Sequence, residues 1–436
     1  MLDINFVKEN LTLVKNVCRD KNIDVDVDRL VALNLEIVKK KQEIDGLNAE
    51  RNKLAKSTGG GKPTEEQLKL ARELKEKIAT VTDGANLNAL EKEYVVLLEK
   101  LPNIPTGDTP IGKNEDENVV LSQWGEIKKL DFKPREHWEI AEKLNLLDTE
   151  RATKVSGSRF VYLRGDLVLL QYALIQQAMG ILMSREALAK IIAEFGLSVS
   201  DKPFTPVIPP VIVKAEVMQR MARLEPKEER YHIEQDDLYL VGSAEHTLGP
   251  TYMDETLNAE ELPIRLVGVS SAFRREAGSY GKDTKGMIRL HQFEKCEMES
   301  FSAPDASLEE HKLFSAIQET LMRTLNIPYQ VILKCTGDMG TPNARAADIE
   351  AWFPGQNKYR ETHTADYMTD YQTRRLKTKI KMKDGTTTFA HMNDGTAFAG
   401  RTIAAIIENY QQEDGSVIIP EVLRGYFGGR EKILAV

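Results

Sequence analysis

Residues 27 to 100 constrain the fold of this chain more than any other stretch. They are rich in Leu, Glu, Lys and Asn and hold one proline, Pro63. Leu30, Leu33, Ile37, Ile44, Leu47 and Leu54 recur at heptad spacing, with Lys40 and Arg51 interrupting the apolar positions. A second run follows through Ala71, Leu74, Ile78, Val81 and Ala85, then changes register to Leu87, Leu90, Tyr94, Leu97 and Leu101. Between the runs lies Ser57-Thr58-Gly59-Gly60-Gly61-Lys62-Pro63, whose glycines and proline predict a turn. A helix with a single apolar stripe must bury it against a partner, so the two runs predict an antiparallel coiled-coil hairpin. At roughly 1.5 Å per residue it makes an arm tens of Å long.

Coiled coils often serve only as spacers or oligomerisation elements. The charge of this one points to a further use. From Arg51 to Lys77 there are eight basic residues (Arg51, Lys53, Lys56, Lys62, Lys69, Arg72, Lys75, Lys77) against four acidic ones, in a chain whose net charge is -8. That balance excludes a generally basic nucleic-acid coat and leaves a local patch at the arm tip, suited to phosphate contacts that position RNA by shape. Gly59-Gly60-Gly61-Lys62 is not a phosphate-binding loop, because Pro63 fills the Ser/Thr position and no strand precedes it.

Leu101-Pro102-Asn103-Ile104-Pro105 ends the arm, and a polar linker is expected over 109–135. Helical stretches (167–195) then alternate with β-rich runs (205–213, 238–241, 266–276, 289–300, 329–334) without a βαβ rhythm, which predicts an antiparallel sheet of the α+β class. Cys18, Cys296 and Cys335 lie far apart, so neither a disulfide framework nor a zinc site is expected. A charged N-terminus and the lack of a long apolar run predict no signal peptide, no membrane span and a cytoplasmic chain.

Four segments carry candidate chemistry. Phe273-Arg274-Arg275-Glu276, a loop with Gly278, Gly281 and Gly286, and Arg289-Leu290-His291-Gln292-Phe293-Glu294-Lys295-Cys296-Glu297 read as a long-looped hairpin. Strand alternation sets Arg274 with Glu276, and His291, Phe293, Lys295 and Glu297 together on one face. A solvated face with cross-strand ion pairs fits this spacing as well as a site for a nucleotide and a small zwitterion does. Ser243-Ala244-Glu245 is expected to put a hydroxyl and a carboxylate on one strand face. Phe204-Thr205-Pro206-Val207-Ile208-Pro209-Pro210 reads as a sheet-edge strand. Small residues from Asn393 to Gly400 let a strand and the helix opened by Arg401 pack closely.

Taken together, these segments resemble the three motifs of the class II aminoacyl-tRNA synthetases, in the form found in the seryl-tRNA synthetase family: motif 1 near 204–213, motif 2 over 266–299 and motif 3 over 393–412. The resemblance extends through Glu408-Asn409-Tyr410-Gln411-Gln412 and covers nearly the whole chain. It implies a tRNA-binding domain over 1–108, a linker over 109–135 and a class II catalytic domain over 136–436, an antiparallel sheet flanked by helices. It also implies ATP and L-serine as substrates, Mg²⁺, tRNA(Ser), a homodimer and no zinc.

Position by position, the resemblance gives ATP to Arg274, Arg275, Glu276, Phe293, Glu361, Thr362, His363, Thr364 and Arg401. Serine falls to Ser243, Glu245, Arg274, Glu297 and Thr396. Mg²⁺ falls to Glu361 and Thr364, and tRNA to Arg51, Lys53, Lys56, Lys69, Arg72 and Lys75. Arg274, Arg401 and Glu361 would be the catalytic set. Besides Ser243, which stands where threonine is usual and keeps the hydroxyl, two places depart from the pattern. Thr362-His363-Thr364-Ala365-Asp366-Tyr367 stands where the family usually has a hydrophobic residue, two serines and Cys-Ser-Asn. In motif 3, counting back from Arg401 without a gap puts Gly395 at the serine-pocket hydroxyl position, whereas matching Gly-Thr-Ala-x-Ala puts Thr396 there; Thr396 is preferred. A paralogue that binds tRNA without charging it is the alternative raised by the first departure. A ligase serving a carrier protein is disfavoured by the long arm, and service of a selenocysteine tRNA is left open.

Overall fold

The computed structural model describes residues 1–57, 62–83, 87–277 and 285–434. Gly59 to Gly61, Ala85, Gly278 and Gly281, which figure in the expectations above, lie outside them. The chain forms two compact units, Met1–Pro102 and Asn103–Val436.

In the first unit, α1 (Ile4–Glu9) and α2 (Leu11–Asp20) precede the long α3 (Val27–Ser57), α4 (Glu65–Asp83) and α5 (Leu87–Lys100). α3 packs against both α4 and α5. Its buried residues Val27, Leu30, Leu33, Asn34 and Ile37 recur on the expected stripe, and burial fades toward the tip. α5 starts at Leu87, where the heptads change register. Ion pairs from Arg29 to Glu93 and from Lys41 to Glu91, at 2.8 and 2.7 Å, tie α3 to α5. Arg51, Lys53, Lys56, Lys69, Arg72 and Lys75 are all exposed.

The second unit is organised by an eight-stranded sheet: β1 (Val119–Trp124), β2 (Thr205–Val207), β3 (Ile264–Phe273), β4 (Gln292–Ser302), β5 (Tyr329–Leu333), β6 (Arg345–Phe353), β7 (Lys358–Thr369) and β8 (His391–Ala399). Their spatial order is β1-β5-β6-β7-β8-β4-β3-β2. All neighbours are antiparallel except the edge pair β2 and β3. Residues 109–135, expected as a linker, thus supply a sheet strand: β1 pairs with β5 from Val119 opposite Leu333 to Trp124 opposite Tyr329. The run expected over 205–213 stops at Val207, because Pro209 and Pro210 cannot donate to a ladder, and resumes as a separate short strand at Ile212. The helical stretch 167–195 divides into α6 (Asp166–Leu182) and α7 (Arg185–Glu194), with Ser184 Oγ capping the second by accepting from Ala187 N at 3.2 Å.

One face of the sheet is covered by helices and holds the core. Met298 of β4, Ala365 of β7 and Ala397 of β8 pack with Leu167 and Leu170 of α6 and with Leu313, Phe314 and Ile317 of α8 (Ser307–Thr324). α9 (Arg401–Asn409) adds Ile403, Ile406 and Ile407. The opposite face is left open for polar side chains. Among the described residues no single helix is long and apolar enough to cross a membrane.

Arg265, at the start of β3, is almost fully buried and grips Glu310 of α8 with Nε to Oε2 at 2.8 Å and Nη2 to Oε1 at 2.6 Å. The same guanidinium donates to the carbonyls of Ser200 and Lys202, so the segment entering β2 is held by the same clamp. Arg265→Met leaves Glu310 buried without its cation. It should lower stability by about 3–5 kcal/mol in a denaturant titration of the whole chain; a loss below about 1 kcal/mol would show that the clamp is dispensable.

Candidate active site

The open face of the sheet forms a cavity of about 550 Å³. Strand alternation on β4 sends Phe293, Lys295 and Glu297 into it, while Cys296 and Met298 point to the core. Glu297 lies opposite Gly268 on β3 and Thr396 on β8, so neither neighbour crowds it. Lys295 Nζ sits 2.6 Å from Glu297 Oε2 and donates to Ser243 Oγ at 3.2 Å. Burial pushes the Glu297 carboxyl up, against the pull of Lys295.

Ser243 and Glu245 reach the same place by a different route from the one their spacing suggests. The strand ends at Leu240, Ser243 lies in a bend, and Glu245 opens the four-residue helix Glu245–Leu248. The turn points the hydroxyl and the carboxylate toward β4, where Ser243 Oγ donates to Glu297 Oε2 at 3.2 Å. Burial would raise the Glu245 carboxyl, but Arg223, 2.6 Å away, outweighs it and holds the group well below the ordinary carboxylate range. His246 is pushed down to about 4 by burial, so its ring is neutral; Nδ1 accepts from Gly242 N at 3.1 Å and Nε2 faces Glu245 Oε1 at 3.5 Å.

The phosphate-sized end of the cavity is cationic. β3 stops at Phe273, three residues earlier than expected, because Arg275 N leaves the ladder for Glu229 O and Glu276 turns left-handed at φ 52. Arg274 Nε donates to Gly242 O at 3.0 Å, and its guanidinium lies over the Phe293 ring with Cζ 5.4 Å from the centroid. Glu276 pairs with Arg289 at 2.9 Å. Across the cavity, Arg401 at the start of α9 pairs with Glu361 Oε1 at 3.0 Å. Burial would raise Glu361, yet Arg401, Lys334, Arg274 and Lys295 together hold it at about 2, so it is ionised at neutral pH.

Not every expected residue comes to the cavity. His291 packs instead against Phe160 and Tyr231, with ring centroids at 5.3 and 6.2 Å. Arg275 lies over the Tyr231 ring at 5.7 Å and is absent from the cavity wall. On β7 a bulge falls at Thr362, which reaches the wall although its hydroxyl is engaged by Ile349 O at 3.1 Å. Glu361, Thr364 and Asp366 face the cavity, whereas His363 is buried on the other side with Nδ1 2.9 Å from Thr362 Oγ1. His363 and Asp366 therefore lie on opposite sides of β7. The described residues do place one carboxylate oxygen each of Glu245, Glu297 and Asp394 within 4.8 Å of one another. Arg223 and Lys295 already lie against that group and answer part of its charge.

Sequence reasoning left out Arg223 and Asp394, and noted Asp366 only as a new residue of the departing segment. Burial pushes Asp366 and Asp394 up, against the attraction of Arg223. A lone arginine in a turn carries no pattern. The signal that could have found the acids is strand alternation, since Asp366 lies two residues after Thr364 and Asp394 two before Thr396.

Two family models match the chain: the seryl-tRNA synthetase N-terminal domain over residues 1–105 and the tRNA synthetase class II core domain (G, H, P, S and T) over 229–410. The serine–tRNA ligase of Pyrococcus horikoshii is 40% identical over 461 residues, covering 99% of this chain and 97% of the relative. That of Dictyoglomus turgidum is 37% identical over 436 residues, covering 98% of each. Among solved structures, the seryl-tRNA synthetase from Pyrococcus horikoshii complexed with ATP matches with a TM-score of 0.88 and 38% identity over 100% of both chains. The cytoplasmic serine–tRNA ligase from Naegleria fowleri in complex with AMP matches at 0.84 and 31%, over 100% of this chain and 99% of the other.

The ambiguity on β8 has a geometric answer. Thr396 lines the cavity, and Gly395 faces the core, where an added Cβ would stand 3.0 Å from Phe314 Cδ2 and 3.3 Å from Gln318 Nε2. Gly395→Ala should therefore cost about 1–3 kcal/mol in a denaturant titration, through overpacking. Thr396→Ser, which trims a cavity-side methyl, should cost less than about 1 kcal/mol. The reverse order would mean that Gly395 is the residue at the cavity.

Proposed function

The chain belongs to the seryl-tRNA synthetase family and is an ATP-dependent serine–tRNA ligase, and from that premise we propose how its residues divide the reaction. The observation that carries the reading is the meeting, in one cavity, of an acidic end (Ser243, Glu245, Glu297) with a cationic, ring-bearing end (Arg274, Phe293, Arg401).

ATP binds at the second end. Phe293 stacks on the adenine, and Glu276, which already accepts from Arg289, accepts from the base's amino group. Arg274 neutralises the α-phosphate and Arg401 the γ-phosphate. Glu361, held ionised at about 2, and the Thr364 hydroxyl form the oxygen donor set that Mg²⁺ prefers. When bound, that ion supplies charge neutralisation of the triphosphate.

Serine binds at the acidic end. Ser243 and Glu245 take its ammonium, Glu297 accepts from its hydroxyl, Arg274 faces its carboxylate, and Thr396, opposite Glu297, closes the pocket. A serine carboxylate oxygen attacks the α-phosphorus in line; the bond to the β-phosphate bridging oxygen breaks, giving seryl-adenylate and pyrophosphate. Positioning and fixed charge supply the catalysis, and no general base is needed because the nucleophile is already ionised. A 3′-terminal ribose hydroxyl of the tRNA then attacks the acyl carbonyl and releases AMP. The exposed cations Arg51, Lys53, Lys56, Lys69, Arg72 and Lys75 contact tRNA phosphates. The edge position of β2 and the 92% exposure of Ile208 beside it support a homodimer built on motif 1.

Pyrophosphate exchange with serine, alanine, threonine and cysteine tests the substrate. Serine should support exchange, and alanine should fall behind by about 10⁴-fold, since it leaves the buried Glu297 acceptor unpaired; exchange indifferent to serine would overturn the reading. Arg274→Ala should reduce serine-dependent exchange by about 10²-fold or more, and near-normal exchange would mean that another residue meets the α-phosphate. Deleting residues 35–95 should leave exchange largely intact while abolishing tRNA charging. Equal loss of both activities would make the arm a structural element only.

A further inference from the structure

Beside Glu245 in the cavity wall lies a cation to which the proposed substrate contacts give no role. Arg223 sits in the turn after the helix Ala215–Arg220, following Ala222, which is left-handed at φ 57. Its backbone is held at both ends: its N–H donates to Met218 O at 3.0 Å and its carbonyl accepts from Arg230 Nε at 3.0 Å. The guanidinium meets carboxylates from three separate elements, with Nε 2.6 Å from Glu245 Oε1, Nη2 3.4 Å from Asp394 Oδ2, and Nη2 3.8 Å from Asp366 Oδ2. Asp394 is the direct register partner of Asp366 on β7 and of Glu299 on β4, so three adjacent strands carry acids in one row. Like charges directly opposite on a sheet repel, and a guanidinium laid across their ends relieves that repulsion.

Among the described residues, the two side chains ion-paired with Glu245 both come nearest to the same oxygen: Arg223 Nε and His246 Nε2 lie 2.6 and 3.5 Å from Oε1. Glu245 itself lines the cavity. We infer that Arg223 is a positioning residue of the amino-acid subsite: it pins Glu245 through one oxygen, with its charge shared by Asp394 and Asp366, so that the second oxygen meets the substrate ammonium. The inference rests on the serine reading above and deepens it. It also gives a place to Asp366, the acid in the segment that departs from the family's usual Cys-Ser-Asn: this acid and Arg223 belong to one device in the pocket wall.

A residue that only stabilised the fold would affect both substrates alike, whereas a residue that aims Glu245 affects serine alone. The test is pyrophosphate exchange by Arg223→Met and Arg223→Lys, with KM for serine and for ATP measured separately and each variant's melting curve recorded. The serine KM of Arg223→Met should rise by roughly tenfold or more while its ATP KM stays within about twofold, and Arg223→Lys should fall between it and the unaltered chain. A folded Arg223→Met with an unchanged serine KM, or with both KM values raised together, overturns the inference. Should Arg223→Met fail to fold, Arg223→Lys decides on the same two constants: a serine KM raised alone supports the role, and an unchanged one refutes it. Lack of serine-dependent exchange in the unaltered chain would instead remove the ligase reading itself, and that is seen before any substitution is made.

Discussion

Carboxylates buried side by side are the constraint around which the catalytic unit is arranged. Glu245, Glu297, Glu299, Asp366 and Asp394 are all buried within one sheet face and the short helix against it. Each ionised acid in such a place needs a cation or a donor, and one left without must take up a proton. Lys295 answers Glu297 from two residues away on the same strand, and Arg223 answers Glu245 and the inner acids from a turn. Glu299 makes no hydrogen bond through either oxygen, and burial together with Glu245 and Glu297 pushes its carboxyl well up, against the more distant pull of Arg223. The result is a pocket whose remaining negative charge is local and directed.

How much of this was legible depended on whether function and backbone periodicity coincided. Phe293, Lys295 and Glu297 were read correctly as one face, because β4 is a regular strand and its period of two survives in the folded chain. The two-residue spacing of Ser243 and Glu245 also suggested convergence, but for the wrong reason: a bend and a helix start bring them together. On β8 the register shifts where Glu297 pairs with Thr396 and Cys296 with Phe398. A bulge leaves no mark that ungapped counting can follow, so Gly395 and Thr396 could not be separated by position alone.

What escaped entirely was set by tertiary contacts. β6 and β7 are central strands with charged residues among their apolar ones, and their pattern did not announce strands as the alternation around Glu297 did. Arg223 lies 143 residues from Asp366 in sequence, and nothing local to either implies the other. The arm shows the opposite case. Its heptads and basic tip were visible because a helical hairpin is stabilised by neighbours close in sequence.

The spatial order of the sheet has a consequence for how the chain is made. β4 lies between β3, which precedes it, and β8, which ends at Ala399, so the wall opposite Glu297 is supplied by a strand roughly a hundred residues later in the chain. During vectorial synthesis the arm can form while the ribosome is still far from finishing, since its contacts are local, but β4 must wait with one edge unpaired and its acids in water. Adenylate chemistry therefore cannot begin on a truncated product: release short of Ala399 yields a helical arm joined to an unfinished sheet, with no pocket in which to activate an amino acid.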